Sequence, residues 1–246
     1  MNWHLVTYAD DKFAEQQKFL HQTHNEGFVH HPFNRENLEK TDFYQNNKQI
    51  LDESTGAGWW IWKPYFILDV MKSANDGDFI IYCDCGDMFS PGLKSYVEST
   101  VSEEDNCLLL VGNNLNGHYT KRDCFIKMDC DEEDYHNSNQ LEVGFMAWKV
   151  CQESIDIVSE WLNYCTDYQI INNEPSVLGE ELSGFVSHRN DQSVLTNLAI
   201  TEGLSVGGPE YRNYIECDYD YWYERNKKTG FTLGREIDSF LVQLIK

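Results

Sequence analysis

The stretch that most constrains this chain is Phe79-Ile80-Ile81-Tyr82-Cys83, a near-continuous apolar run behind the turn-forming residues Asn75-Asp76-Gly77-Asp78. A short apolar run bounded in this way predicts a strand at the centre of a sheet. It leads directly into Asp84-Cys85-Gly86-Asp87. Gly86 permits a tight turn there, so the strand delivers two carboxylates at its C-terminal end. Ligands of open α/β sheets collect at that end of the strands. Two carboxylates in such a place suit a divalent cation, and a cation in turn suits a diphosphate. The same four residues also describe a capped turn that binds nothing.

What precedes the strand favours a ligand. Gly56-Ala57-Gly58-Trp59-Trp60-Ile61-Trp62-Lys63-Pro64 combines glycines that let the backbone turn closely with aromatic rings and one cation. Pro64 fits the first turn of a helix, where its missing N–H is not needed. Tyr65, Phe66, Leu68, Val70 and Lys72 continue a mostly buried helix. Lys63 then stands at a helix start, an unfavourable place for a cation unless an anion such as phosphate joins it. A plain surface lysine is the alternative.

Around this centre the pattern is α/β. Residues 3–8 read as a first strand, lying parallel beside the Asp84 strand, and residues 13–24 as a helix capped by Asp11. Phe28 and Val29 suggest a short strand, His30-His31-Pro32 a loop, and residues 34–51 a polar surface helix or loop. Helices are expected from Ser90-Pro91 to Glu98 and through Ile155, Val158, Leu162 and Cys165, with a strand at 108–111. Residues 120–128 form a helix or tight loop. In 140–149 Leu141, Val143 and Phe145 alternate with Glu142 and Gly144, a strand-like beat. Gly144 leaves room for a ligand or a crossing backbone, and Glu142 faces either a pocket or solvent. Residues 172–184 are a loop-rich acidic passage. Asp191, ahead of Val194, Leu195 and Leu198, is either a helix cap or, with Gln192, a polar group for a sugar hydroxyl. The aromatic-acidic tail, residues 211–223, either lines a carbohydrate surface or packs a last helix bearing Ile237, Phe240, Leu241 and Leu244.

The chain has 246 residues, 41% of them hydrophobic, which allows one α/β domain with a sizeable core or two small ones. Nineteen Lys and Arg stand against 41 Asp and Glu, a net charge of −22. Such a surface repels nucleic acid at long range but accepts a nucleotide-sized ligand where a metal and a few cations reverse the field locally. No basic-then-apolar leader is visible, and no apolar run is long enough to span a membrane. The eight cysteines are scattered, which favours reduced thiols and a cytoplasmic setting, host cytoplasm if the source is viral. His21, His24, His30 and His31 resemble a metal cluster in composition only.

The order of several motifs resembles a family of small nucleotide-sugar glycosyltransferases with the GT-A type of fold, found in bacterial surface-glycan and large-virus genomes. The matching segments are Gly56 to Pro64, Tyr82 to Gly86, Thr120-Lys121-Arg122-Asp123, Gln140 to Phe145, and His188-Arg189-Asn190-Asp191-Gln192-Ser193. The opening Thr7-Tyr8-Ala9 also fits, and the resemblance covers about residues 3–205. It implies a Rossmann-type sandwich with a mostly parallel central sheet. The whole chain would be one such domain, with a nucleotide-binding part at about 1–115 and an acceptor-side part at about 116–246.

The resemblance further implies transfer of a sugar from a nucleotide-diphosphate donor to a hydroxyl of a glycan or glycoconjugate, with Mn2+ or Mg2+. Thr7, Tyr8 and Ala9 would border the base and Lys63 would approach the diphosphate. Lys121, Gln192 and His188 would belong to the donor site. Asp84 would hold the metal. Gly86 stands where a second metal-binding Asp is usual, leaving Asp87 as its substitute. Asp191, then Glu142, are the candidates for a catalytic base. Two other classes share these features: a metal-dependent nucleotidyltransferase or phosphohydrolase, and a non-catalytic carbohydrate-binding protein.

Overall fold

The computed structural model describes residues 1–24, 27–90, 92–101, 106–207 and 215–216. Most of the aromatic-acidic tail, the expected last helix and Cys217 lie outside the described residues. In chain order the strands are β1 (Trp3–Ala9), β2 (Val29–Asn34), β3 (Phe79–Cys83), β4 (Met88–Phe89), β5 (Cys107–Leu115), β6 (Asn139–Lys149), β7 (Val206–Gly207) and β8 (Ile215–Glu216). Six of them form one sheet in the order β2-β1-β3-β6-β5-β7, and β4 pairs antiparallel with β8.

The fold is α/β and its sheet is mostly parallel. β1 runs parallel to β2 and β3, β5 runs parallel to β7, and β6 alone is antiparallel to both of its neighbours. The apolar run Phe79–Cys83 is buried along its whole length in the middle of the sheet, as its composition predicts. β1 lies beside it, in register from Trp3 opposite Phe79 to Val6 opposite Tyr82. Both strands therefore end at the same edge, which brings Ala9 and Asp84 close together.

Alternation along the strands sends side chains into two layers. On one face Val6, Ile80, Tyr82, Met146 and Trp148 pack beneath the helices Trp62–Ser73, Gln152–Cys165 and Asn190–Thr201. On the other, Leu5, Phe79, Ile81 and Phe145 meet Leu20 of the helix Ala14–Thr23 and Leu93 and Val97 of the helix Leu93–Thr100. The sheet is thus sandwiched between helical layers.

The strand-like beat of 140–149 is interrupted. β6 runs from Ala147 to Glu142 while β5 advances only from Leu108 to Leu110, so the extra residues of β6 bulge out of the ladder. Val143 and Met146 consequently face the same layer. This bulge carries Gly144 to the end of β3, where its carbonyl accepts a 2.7 Å hydrogen bond from the Asp84 N–H.

Several local expectations are corrected. His30, His31 and Pro32 belong to β2 rather than a loop. Pro32 is tolerated because β2 is an edge strand and needs fewer ladder donors. Residues 34–51 are three short helices, Arg35–Glu39, Asp42–Asn46 and Lys48–Leu51. Asp10, not Asp11, caps the turn after β1, its Oδ1 accepting from the Lys12 N–H at 3.0 Å. Asp191 is not a cap either: the helix Asn190–Thr201 already contains it in its first turn.

Candidate active site

The acidic turn is built by three local contacts. Asp87 N–H donates to the Asp84 carbonyl at 2.9 Å and closes the turn. The Cys85 thiol donates to the Tyr8 carbonyl at 3.2 Å, tying the end of β3 to the end of β1. The Tyr82 hydroxyl donates to Asp84 Oδ1, two residues along on the same face of the strand. Burial first, and then the nearby Asp84 carboxylate, push the Tyr82 phenol well above its ordinary pKa, so it remains a donor.

Asp84 Oδ2 is left to point elsewhere, and Gly144 shows where. A Cβ added at Gly144 would sit 3.0 Å from Asp87 Oδ2 and 3.3 Å from Asp84 Oδ2. Both carboxylates therefore converge over a position that only a glycine leaves open. The room that Gly144 was expected to provide is filled by these two side chains. An all-oxygen pair of this kind fits a hard divalent cation such as Mg2+ or Mn2+, which commonly takes one or two carboxylates and completes its shell with phosphate and water. Among the described residues, no group of three or more His, Cys, Asp or Glu side chains is arranged to hold a metal.

Behind the turn lies a buried cation. Lys63, 2% exposed, places Nζ 3.7 Å from Asp84 Oδ1 and 3.5 Å from Asp191 Oδ2. It donates to the carbonyl of Val143, in the β6 bulge, at 3.1 Å. Its Nζ also lies 4.9 Å above the Tyr82 ring, within cation–π range. Burial alone would lower the Lys63 pKa, but the Asp191 and Asp84 carboxylates outweigh it and the net shift is upward. Asp191 is 2% exposed, and burial pushes its carboxyl up to about 6 against the opposing pull of Lys63. At 3.5 Å their contact is ionic rather than a directed hydrogen bond.

The turn borders a cavity of about 790 Å3, a volume suited to a nucleotide-sized ligand. Asp84 and Asp87 line one part of it; Tyr8, Phe13, Trp60 and Trp62 line another, with Asp10 and Lys12 also at its wall. Tyr8 stacks on Trp62 with centroids 3.9 Å apart and rings inclined by 20°.

Gly56, Ala57 and Trp60 also line the cavity, within a segment of uncommon backbone at residues 56–60. Gly56, Ala57, Gly58, Trp59 and Trp60 have φ of 60°, 52°, 102°, 48° and 60° in succession. For the three non-glycine residues this left-handed region costs roughly 1–2 kcal/mol each. Surrounding contacts hold the conformation. Trp59 N–H donates to the Thr55 carbonyl at 2.8 Å, and Trp62 Nε1 donates to the Gly56 carbonyl at 2.8 Å. Gly58 packs so tightly that a Cβ would lie 2.6 Å from Leu51 Cα.

Several residues expected at the site lie elsewhere. Lys63 is behind Asp84 and not in the cavity wall. Thr7 faces the opposite side of β1, where its Oγ1 meets His21 Nε2 at 2.8 Å and Gln17 Nε2 at 3.0 Å. Ala9 is buried at the strand end, and Tyr8 alone of the three lines the cavity. Glu142 is exposed on β6 opposite Leu110, past the bulge and off the cavity wall. Asp191 is 2% exposed, lies beside Lys63 and is off the cavity wall.

Lys121, His188 and Gln192 serve a separate buried network. Lys121 Nζ donates to Asn172 Oδ1 at 2.7 Å and to the Glu174 carbonyl at 2.9 Å. His188 lies 2.9 Å from the Ile170 carbonyl through Nε2, and burial lowers its pKa to about 3. Gln192 Nε2 donates to Gln140 Oε1 at 2.8 Å, while Gln140 Nε2 reaches Ser193 Oγ at 3.0 Å. The contacts of Gln192 and Ser193 with Gln140 tie the helix Asn190–Thr201, which carries Asp191 against Lys63, onto β6. Tyr82 was not anticipated as a site residue. Tyr82 carried a usable signal, since it stands two positions before Asp84 on one strand.

No protein-family model and no curated protein matches this chain. Solved structures do. Mouse xyloside xylosyltransferase 1 is similar over 94% of both chains, with 9% identity and a TM-score of 0.47. The galactosyltransferase LgtC is similar over 79% of this chain and 70% of its own, with 13% identity and a TM-score of 0.41. A glycosyltransferase involved in the glycosylation of the major capsid of PBCV-1 is similar over 68% of both chains, with 9% identity and a TM-score of 0.38. All three are glycosyltransferases. Likeness at this level assigns neither an activity nor a residue role to this chain.

Proposed function

We propose that this chain is a metal-assisted glycosyltransferase, acting in the cytoplasm, that moves a sugar from a nucleotide diphosphate to a hydroxyl of a glycan or glycoconjugate. The observation that supports this reading best is the convergence of Asp84 and Asp87 over Gly144 at the edge of an aromatic-walled cavity. Asp84 and Asp87 would hold Mn2+ or Mg2+, which when bound supplies charge compensation to a diphosphate leaving group. Tyr82 orients Asp84 by occupying Oδ1. Lys63 stands against Asp84 from behind, and Asp191 helps keep Lys63 charged and in place. In this reading Asp191 positions a residue of the site, and neither it nor Glu142 takes the proton of the acceptor. The aromatic wall accepts the flat part of the donor and excludes water from it.

Release of nucleoside diphosphate from a panel of nucleotide sugars, with and without Mn2+, tests the reading, with mass spectrometry of the acceptor product. The expected result is metal-dependent release coupled to a new glycosidic bond. Asp84→Asn should abolish metal-supported donor binding while shifting the melting temperature by less than about 2 °C, because its side chain is 45% exposed. Production of pyrophosphate or phosphate instead would assign the site to nucleotidyl transfer or phosphohydrolysis. An intact protein that neither binds nor turns over any nucleotide sugar would remove the proposal altogether.

A further inference from the structure

Three tryptophans stand close together in the segment before Lys63, and two have evident structural work. Trp59 is 4% exposed and packs edge-on against Tyr168 with centroids 5.6 Å apart. Trp62 donates to Gly56 and stacks on Tyr8. Trp60 differs. It is only half-buried and it lines the cavity, and like Trp59 it has a positive φ, here 60°, that a bulky aromatic residue rarely adopts. Strain of this kind persists where the surroundings impose it, and an observed outlier beside a cavity is grounds for a functional reading.

The room given to this ring is specific. A Cβ at Gly56 would come within 2.3, 2.4 and 2.6 Å of three carbons of the Trp60 indole, so the ring lies across the bare Cα of Gly56. The left-handed run thus sets one face of the indole against the backbone and turns the ring to the cavity. A flat, rigid, electron-rich surface held in this way recognises another flat ring by stacking. The carboxylates of Asp84 and Asp87 line the same cavity and would hold the cation–diphosphate end of a ligand.

We propose that Trp60 is a specificity-determining residue that stacks on the nucleobase of the donor, and that the left-handed turn at residues 56–60 exists to present it. This rests on the nucleotide-sugar reading above. It adds a residue that selects nucleoside diphosphates over other diphosphates through the flat ring alone.

Calorimetric titration of the Mn2+-loaded protein with UDP, with GDP and separately with pyrophosphate tests the assignment. Trp60→Asn removes the ring while keeping a residue that tolerates positive φ. Trp60→Phe keeps a stacking face. For whichever nucleoside diphosphate the wild type binds, Trp60→Asn should weaken affinity about 10-fold and Trp60→Phe less than about 3-fold, with pyrophosphate affinity unchanged in both. Equal losses for nucleotide and pyrophosphate, or no loss for the nucleotide, would overturn the stacking role while leaving the glycosyltransferase reading intact. A wild type that binds pyrophosphate but no nucleoside diphosphate also overturns it. A wild type that binds neither removes both proposals together.

Discussion

Lys63 Nζ lies 3.5 Å from Asp191 Oδ2, and both side chains are 3% exposed. They come from the start of one helix and the first turn of another, on the same side of the sheet. Taking either charge out of water alone would be costly, so each is tenable only with its partner. Lys63→Met should therefore cost about 3–5 kcal/mol by urea unfolding, because it strands the Asp191 carboxylate. Lys63→Met combined with Asp191→Asn should be more stable than Lys63→Met alone. Costs that simply add would show that the two groups do not interact.

The central strand, its acidic turn and the parallel β1 beside it were legible because apolar runs and turn residues report burial and chain reversal directly. The reach of Lys63 was not. It depends on the β6 bulge presenting the Val143 carbonyl, and a bulge leaves no mark in a run such as Gln140 to Lys149 beyond one glycine. Lys121, His188 and Gln192 misled for a related reason. A polar side chain reads the same in sequence whether a ligand or a backbone carbonyl satisfies it, and here Glu174, Ile170 and Gln140 do so. The glycines at 56 and 58 announced a tight turn, but nothing in two consecutive tryptophans announced positive φ, since such residues avoid it.

Gly144 is the position where the sequence hint and the geometry meet most directly. Gly144→Ala would bring a methyl group to 3.0 Å from Asp87 Oδ2 and 3.3 Å from Asp84 Oδ2, and the carboxylates would have to separate. Mn2+ affinity by calorimetry should fall about 10-fold, equivalent to about 1.4 kcal/mol. Near-ultraviolet circular dichroism should remain that of the wild type, because the displaced groups stand at the cavity and not in the core. Undiminished Mn2+ affinity would mean that the two carboxylates do not share a cation.

Ala57, at φ 52°, offers a test of the strained wall that involves no ligand. Glycine adopts this backbone without the Cβ clash that alanine suffers. Ala57→Gly should stabilise the protein by about 1 kcal/mol, after allowing for the greater freedom of glycine in the unfolded chain. For a chain of this size that is a rise of about 2–4 °C in melting temperature by calorimetry. A fall in melting temperature would show that the turn is not strained at this residue.

A corner of histidines should set the acid limit of the fold. His4 Nδ1 lies 3.0 Å from His31 Nε2, His21 Nδ1 lies 2.5 Å from His30 Nδ1, and His24 stacks on Phe89 at 3.7 Å. Burial, reinforced by neighbouring histidines, lowers His21, His24 and His31 to about 4. In the unfolded chain the same rings titrate near 6.5, so between these values the unfolded state binds more protons and stability falls as pH drops from 6.5 toward 4. Asp191, raised to about 6, acts in the opposite sense over part of that window. It is one carboxyl against three imidazoles. Asp52, lowered to about 2, titrates below the window. The melting temperature should therefore drop on the order of 5 °C between pH 6.5 and 4.5. His24→Phe keeps the stack on Phe89 and removes a buried Nε2 that has no hydrogen-bond partner among the described residues, so it should flatten the decline. An unchanged pH slope in that variant would place the acid sensitivity elsewhere.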